Sequence, residues 1–175
     1  LASASNDGTI KLWDLKGLNN SVKTFNAGKP VWSVHTHGEF LCAGIEKDLV
    51  IWSLKTMKPF AKINFLHSEA ILSIKIQLIN GKPYLITTGD DGLINVVDIS
   101  TPKITTDSIV STINTNQTIL SAELVNDINI VQAITASENL VLYNLENNSE
   151  IVSFDFKAEG LGSNYIVNSK IVQNK

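Results

Sequence analysis

An all-β fold, built as a propeller of small four-stranded blades, is what this sequence predicts, and three observations predict it. A fifteen-residue pattern returns four times without internal gaps: LASASNDGTIKLWDL from Leu1, FLCAGIEKDLVIWSL from Phe40, LITTGDDGLINVVDI from Leu85 and VQAITASENLVLYNL from Val131. The large residues near its end, Trp13, Trp52, Val97 and Tyr143, lie 39, 45 and 46 residues apart, close to the roughly 40 to 45 residues of a four-stranded blade. The strands are also apolar on both faces, as in Leu49-Val50-Ile51-Trp52 and Leu140-Val141-Leu142-Tyr143. A small sheet covered on both sides has that pattern, whereas a β-sandwich alternates and an α/β fold requires helical periodicity.

Each unit repeats one order of elements. In the first, LASAS is a β-rich run, Asn6-Asp7-Gly8 is a tight reversal, and TIKLW is a second run ending at Trp13-Asp14; SVKTFNA follows as a third. Asp-Gly supplies the positive φ angles that short hairpin turns demand. The second unit adds VWSVHTH before its aligned segment and PFAKINF after it. The third opens with ILSIKIQLI and carries the reversal Asp90-Asp91-Gly92, and the fourth runs from TILSAELV to EIVSFDF.

These residues resemble the WD40-repeat family. The dipeptide that names the family is complete in Trp13-Asp14, partial in Trp52-Ser53, and altered to Val97-Asp98 and Tyr143-Asn144. CAGIEKDLVIWSL together with TTGDDGLINVVDIS is similar to the WD-repeat-containing protein 89 group. The resemblance implies strands a to d in each blade, counted outward from a central channel. It also implies a polar cluster pinning a blade: an Asp in the turn, a Ser or Thr on the preceding strand, the Trp, and a His leading into the blade. Asp7, Trp13 and either Ser3 or Ser5 match in the first repeat. His67 matches in the third, with Thr87 and Asp91 as partners, but Val97 stands where the Trp belongs. No blade holds all four members, so pinning is expected to be partial.

The same phase sets the expected domain plan: strands b to d over 1–28, blades over 29–66, 67–112 and 113–158, and the start of a further blade over 159–175. Beginning at Leu1, the chain is expected to lack its native start and to form about four blades of a ring of roughly seven. Closure on itself as four blades is the alternative.

Composition narrows function. Hydrophobic residues make up 43% of the chain, as in folded domains. All 14 basic residues are lysine, net charge is −3, and from residue 104 onward 3 lysines face 8 acids. Without arginine there is no forked donor for guanine or phosphate, so base-specific nucleic-acid binding is not expected. No stretch is long enough to span a membrane as a helix. Cys42, the only cysteine, has no partner for an internal disulfide, which favours a cytoplasmic or nuclear location.

Catalytic constellations are weak. Gly160-x-Gly162 lacks the third glycine of a dinucleotide loop. His35 and His37 share one side of a strand without further zinc ligands, and a solvated strand end explains them better. Cys42 lies in an apolar run as a small buried side chain. Asp7, Asp90 and Asp91 read as turn formers rather than acid–base or calcium groups. Three Asn-x-Ser/Thr matches are expected chance matches in an Asn-rich chain. No cofactor, metal or small-molecule substrate is expected.

The predicted function is a non-catalytic scaffold for other proteins. Asn6, Ile45, Asp90 and Ala136 in the aligned turns, with Lys29, Trp32 and Glu69 where the chain enters a blade, resemble positions on the upper face of WD40 proteins. They are the candidate partner-binding residues. Asp7, Trp13, Asp14, Trp52, His67, Asp91, Asp98 and Tyr143 are the repeat's structural positions. Alternatives are a nuclear assembly factor that meets ribonucleoprotein through its partners, and a propeller enzyme whose catalytic residues lie in further blades.

Overall fold

A computed structural model describes residues 1–17, 20–125 and 129–155. The strands are β1 (Ala2–Ala4), β2 (Thr9–Trp13), β3 (Ser21–Asn26), β4 (Val31–His37), β5 (Phe40–Ile45), β6 (Asp48–Ser53), β7 (Lys58–Ile63) and β8 (Ile71–Ile79). They continue through β9 (Lys82–Gly89), β10 (Leu93–Asp98), β11 (Ile109–Asn114), β12 (Ile119–Val125), β13 (Ile130–Thr135), β14 (Asn139–Asn144) and β15 (Ser149–Asp155). The described residues hold a single short 3-10 turn, Thr106–Ser108, and otherwise only strands and loops. The sheets are antiparallel meanders in chain order: β1-β2-β3, β4-β5-β6-β7, β8-β9-β10-β11 and β12-β13-β14-β15.

Neighbouring sheets meet mainly through their inner strands, β1 with β4, β4 with β8, and β8 with β12. β3, β7, β11 and β15 are thereby outermost. This is blade-on-blade packing of a propeller, as the repeat predicts. The expected beginning of another blade at 159–175 lies outside the described residues.

Two-sided apolar strands supply the seams. On β6, Val50 and Trp52 join Ile10, Phe25 and Leu41 between the first two sheets, while Leu49 and Ile51 join Ile74, Ile76, Leu85 and Val97 between the second and third. Between the third and fourth, Ile94 and Val96 meet Val131, Val141 and Tyr143. The residue at the Trp position therefore packs toward the preceding blade. Trp52 is buried against Phe25, ring centroids 5.5 Å apart. Trp13 faces away from its seam with the second sheet and is only half-buried, with Lys11 Nζ 6.0 Å from its ring. Trp13 keeps the direction its repeat position implies, away from the second sheet, and no other described sheet lies against that face.

The residue after the Trp position has one job in all four repeats. Asp14 Oδ1 accepts from Lys16 N–H, Ser53 Oγ from Thr56 N–H, Asp98 Oδ1 from Ser100 N–H, and Asn144 Oδ1 from Glu146 N–H. A short polar side chain that bonds the backbone two or three residues on closes the turn into the outermost strand. That is why Asp, Ser, Asp and Asn are interchangeable there.

Candidate functional site

In an antiparallel four-stranded meander, the turn between the second and third strands and the loop to the next sheet fall on the same end. Backbone bonds weld these loops together. Ala27 N–H reaches Gly8 O, and Thr115 N–H reaches Gly92 O in the equivalent place. Across seams, Val31 N–H donates to Ser5 O and Ile71 N–H to Glu46 O. Within blades, Glu46, Asp90 and Ala136 donate to Pro30, Ala70 and Thr118. Gly92, at φ +76, lies where a Cβ would stand 3.0 Å from both Gln117 N and Gln117 O, so the turn closes onto its neighbour only without a side chain.

Under this face, the third blade carries a buried polar cluster. His67 Nδ1–H donates to Asp91 Oδ1 at 2.9 Å. Its Nε2 accepts from Thr87 Oγ at 2.9 Å and lies 3.1 Å from Asn95 Nδ2. Asn95 also donates to Leu66 O and accepts from Thr112 Oγ at 2.6 Å. Asp91 is held further by the N–H groups of Leu93 and Ser68. With both ring nitrogens committed this way, His67 is a neutral Nδ1–H tautomer. Burial pushes its pKa down, outweighing the carboxylate beside it. Burial alone would raise that of Asp91, but the bonds from His67, Leu93 and Ser68 hold it below the ordinary carboxylate value. Gly89 is part of the same fit, because a Cβ there would come within 2.4 Å of His67 Nδ1 and 2.5 Å of Asp91 Oδ1.

Three of the four implied members meet here, and a residue the sequence reading passed over completes the set. Asn95 occupies a position filled by Lys11, Val50 and Val141 in the other repeats; a lone amide inside an apolar strand was the available signal. In the first blade the other half of the cluster forms: Trp13 Nε1–H donates to Ser3 Oγ at 2.9 Å. Asp7 closes its own turn by accepting from the Thr9 N–H and hydroxyl.

Of the candidate partner-binding residues, Asn6, Glu69, Asp90 and Ala136 are exposed on the loop-bearing end. Lys29 is exposed and paired with Glu46 at 2.7 Å, and Asp90 accepts from Thr118 Oγ. Ile45 is only 6% exposed and packs into the seam between the first two sheets, so it is withdrawn from the surface set. Its turn resembles the others, but its side chain follows the alternation of β5 inward.

Trp32 is 53% exposed for a specific reason. Val31 pairs with Ile45 and Ser33 with Gly44, leaving Trp32 as the extra residue of a β-bulge. The same bulge recurs at Leu72 in β8 and Leu120 in β12, within the triplets Val31-Trp32-Ser33, Ile71-Leu72-Ser73 and Ile119-Leu120-Ser121. A bulged residue leaves the ladder and re-aims its side chain. Leu120 is 45% exposed. Phe65, in the loop before His67, is 80% exposed at φ 54, its N–H held by Asp48 Oδ1 at 3.0 Å.

Chemistry beyond recognition is sparse. Cys42 is fully buried, and burial drives its thiol pKa far up, away from thiolate reactivity. His35 is not the solvated strand end expected of it; it lines a hollow of about 160 Å³ between the inner strands with Lys75, Glu123 and Gln132. Burial, then His37 and Lys75, lowers its pKa. Lys75 is paired with Glu123, and Gln77 bonds both the N–H and the C=O of Leu124, so this inner surface ties two blades together. Among the described residues no group of three or more His, Cys, Asp or Glu is placed to hold a metal, and no helix is long and apolar enough to cross a membrane. Gly160 and Gly162 lie outside the described residues.

Residues 1–14 match the WD40 family, described as WD domain, G-beta repeat. The chain is 30% identical over 119 residues to a WD repeat-containing protein 89 homolog of Dictyostelium discoideum, covering 68% of this chain and 32% of that protein. It is 35% identical over 111 residues to the probable cytosolic iron-sulfur protein assembly protein 1 of Vanderwaltozyma polyspora, covering 55% of this chain and 32% of that one. The chain thus spans about a third of the length of the curated relatives it matches. Among solved structures, the computationally designed Ika8 protein superposes with a TM-score of 0.65 at 12% identity, over 87% of this chain and 45% of that one, a likeness of fold alone.

Proposed function

We propose, on the premise that the chain is built of WD40 repeats and is similar to WD repeat-containing protein 89, that it is a non-catalytic scaffold binding other proteins on its loop-bearing face. The observation that carries this reading is the repeated inner bulge. Trp32, Leu72 and Leu120 stand at one position of three consecutive blades, outside the hydrogen-bonded ladder, with Trp32 and Leu120 half open to water. Large apolar side chains fixed on rigid backbone lose little entropy on docking, and Trp is prominent among interface hot spots. Asn6, Lys29, Glu69, Asp90 and Ala136 form the polar surroundings, and Phe65 extends the apolar surface.

The absence of arginine and the acidic second half favour protein partners over nucleic acid. A relative named for iron-sulfur protein assembly supports a role in holding components together. In this reading the protein works in the cytoplasm or nucleus, within a larger ring. Affinity capture with the full-length protein tests it. Trp32→Ala should lose partners retained by Val22→Ala, which alters an exposed residue of an outer strand. Equal recovery by both variants, or turnover of a substrate by the purified protein, would sink the scaffold reading.

A further inference from the structure

The outer strands carry a second, separate set of bulges. Val22 in β3, Phe60 in β7, Val110 in β11 and Ile151 in β15 are each the extra residue of a bulge opposite the Trp position. All four are exposed apolar side chains. Among the described residues they sit on strand edges that pair with nothing outside their own sheet. An unpaired edge is a template for another strand unless charge, proline or a cover blunts it.

Three of these edges are blunted. β3 carries Lys23, β7 carries Lys58, Pro59 and Lys62, and β15 carries Glu150 and Asp155. β11 reads Ile-Val-Ser-Thr-Ile-Asn, with no charge, no proline and mostly β-branched residues. Beside it lies a groove of about 380 Å³ whose walls include Ile79, Tyr84, Val110, Leu124, Leu145 and Glu146. A second hollow that Val110 also lines holds Asp98, Asp107 and Lys103 among others. The charged side chains lining the two hollows are therefore three carboxylates and one ammonium.

We propose that the free edge of β11 is a docking site for an extended segment of a partner protein, with basic residues at one end, which adds a fifth strand to this blade. Main-chain hydrogen bonds along the edge supply the pairing. An aliphatic side chain of the segment enters the groove beside Val110, and lysine or arginine at the end of the segment next to it meets Asp98, Asp107 and Glu146. The same acids oppose edge-to-edge pairing of two copies of this chain, since each edge would bring its own carboxylates. This site lies toward the opposite end of the blade from the loop-bearing face and stands or falls independently of the function proposed there.

The test uses the full chain and a fluorescein-labelled peptide of alternating valine and threonine with lysine at both ends. Saturable binding is expected, with new hydrogen-exchange protection confined to residues 109–114. Val110→Lys should weaken it about tenfold or more, while Phe60→Lys, the same change on β7, leaves it intact. Reversing Asp107 and Glu146 to lysine should shift preference to the same peptide made with glutamate in place of the terminal lysines, and proline at the centre of the probe should abolish binding. No binding by the lysine-ended peptide, binding indifferent to Val110→Lys, or protection on β3, β7 or β15 instead would overturn the proposal. A dimer that forms through β11 without peptide would overturn it as well.

Discussion

His67 and Asp91 are joined at 2.9 Å across the inside of one blade, the histidine from the loop that enters β8 and the carboxylate from the turn between β9 and β10. Both side chains are almost wholly withdrawn from water. Removing either leaves buried polar atoms without partners. His67→Ala and Asp91→Ala should each cost about 2 to 4 kcal/mol. The double variant should cost clearly less than their total, because the second substitution removes what the first orphaned. Denaturant unfolding measures all three.

Acid should unfold this protein through the same pair. The pKa of His67 is lowered on folding by burial, and that of Asp91 is held low by its hydrogen bonds. In each case the unfolded chain binds the proton more readily, so stability is full above the unfolded pKa and falls as pH drops below it. For His67 the loss begins below about pH 6.5, and for Asp91 below about 3.9. His35 contributes with the same sign as His67. Unfolding free energies at pH 7 and pH 5 should therefore differ less in His67→Gln than in the parent, with His35→Gln accounting for a separate share.

Gly89→Ala should be disproportionately damaging. The added methyl would overlap His67 Nδ1 and Asp91 Oδ1, whereas at Gly17 no atom lies within 4 Å of the new Cβ. A loss of about 2 to 4 kcal/mol is expected at position 89 and less than about 0.5 at position 17, read by thermal or denaturant melting.

Replacing Asn95 by valine, the residue of two other repeats at this position, should destabilise despite the gain in apolarity. Leu66 O loses its partner in a buried site, and the Thr112 hydroxyl loses its acceptor. About 1 to 3 kcal/mol is expected, together with a shift of the His67 ring resonances in NMR spectra.

The order of strands, the blade period and the seam residues were legible because they repeat: Trp52, Val97 and Tyr143 sit at one phase of one pattern and pack in one direction. The pinning cluster was half legible. His67, Thr87 and Asp91 follow from their positions, but Asn95 is unique to its repeat, and a single departure from a pattern does not announce its purpose. Exposure was the least legible quantity. Trp13 and Trp52 look equivalent and point the same way within their blades, yet only Trp52 has another described sheet against that face. Ile45 resembles a surface turn residue and is buried because β5 continues one position further than the repeat suggests. The bulges behind Trp32, Leu72 and Leu120 are a matter of pairing register, which a single strand's composition does not encode.

Those bulges also separate two demands that usually compete for the same side chain. A residue squeezed out of the ladder contributes neither cross-strand pairing nor seam volume, so exchanging it leaves the cost of folding nearly untouched. Each of the three four-stranded blades thereby offers one inner and one outer position at which chemistry can be rewritten without renegotiating the architecture that displays it.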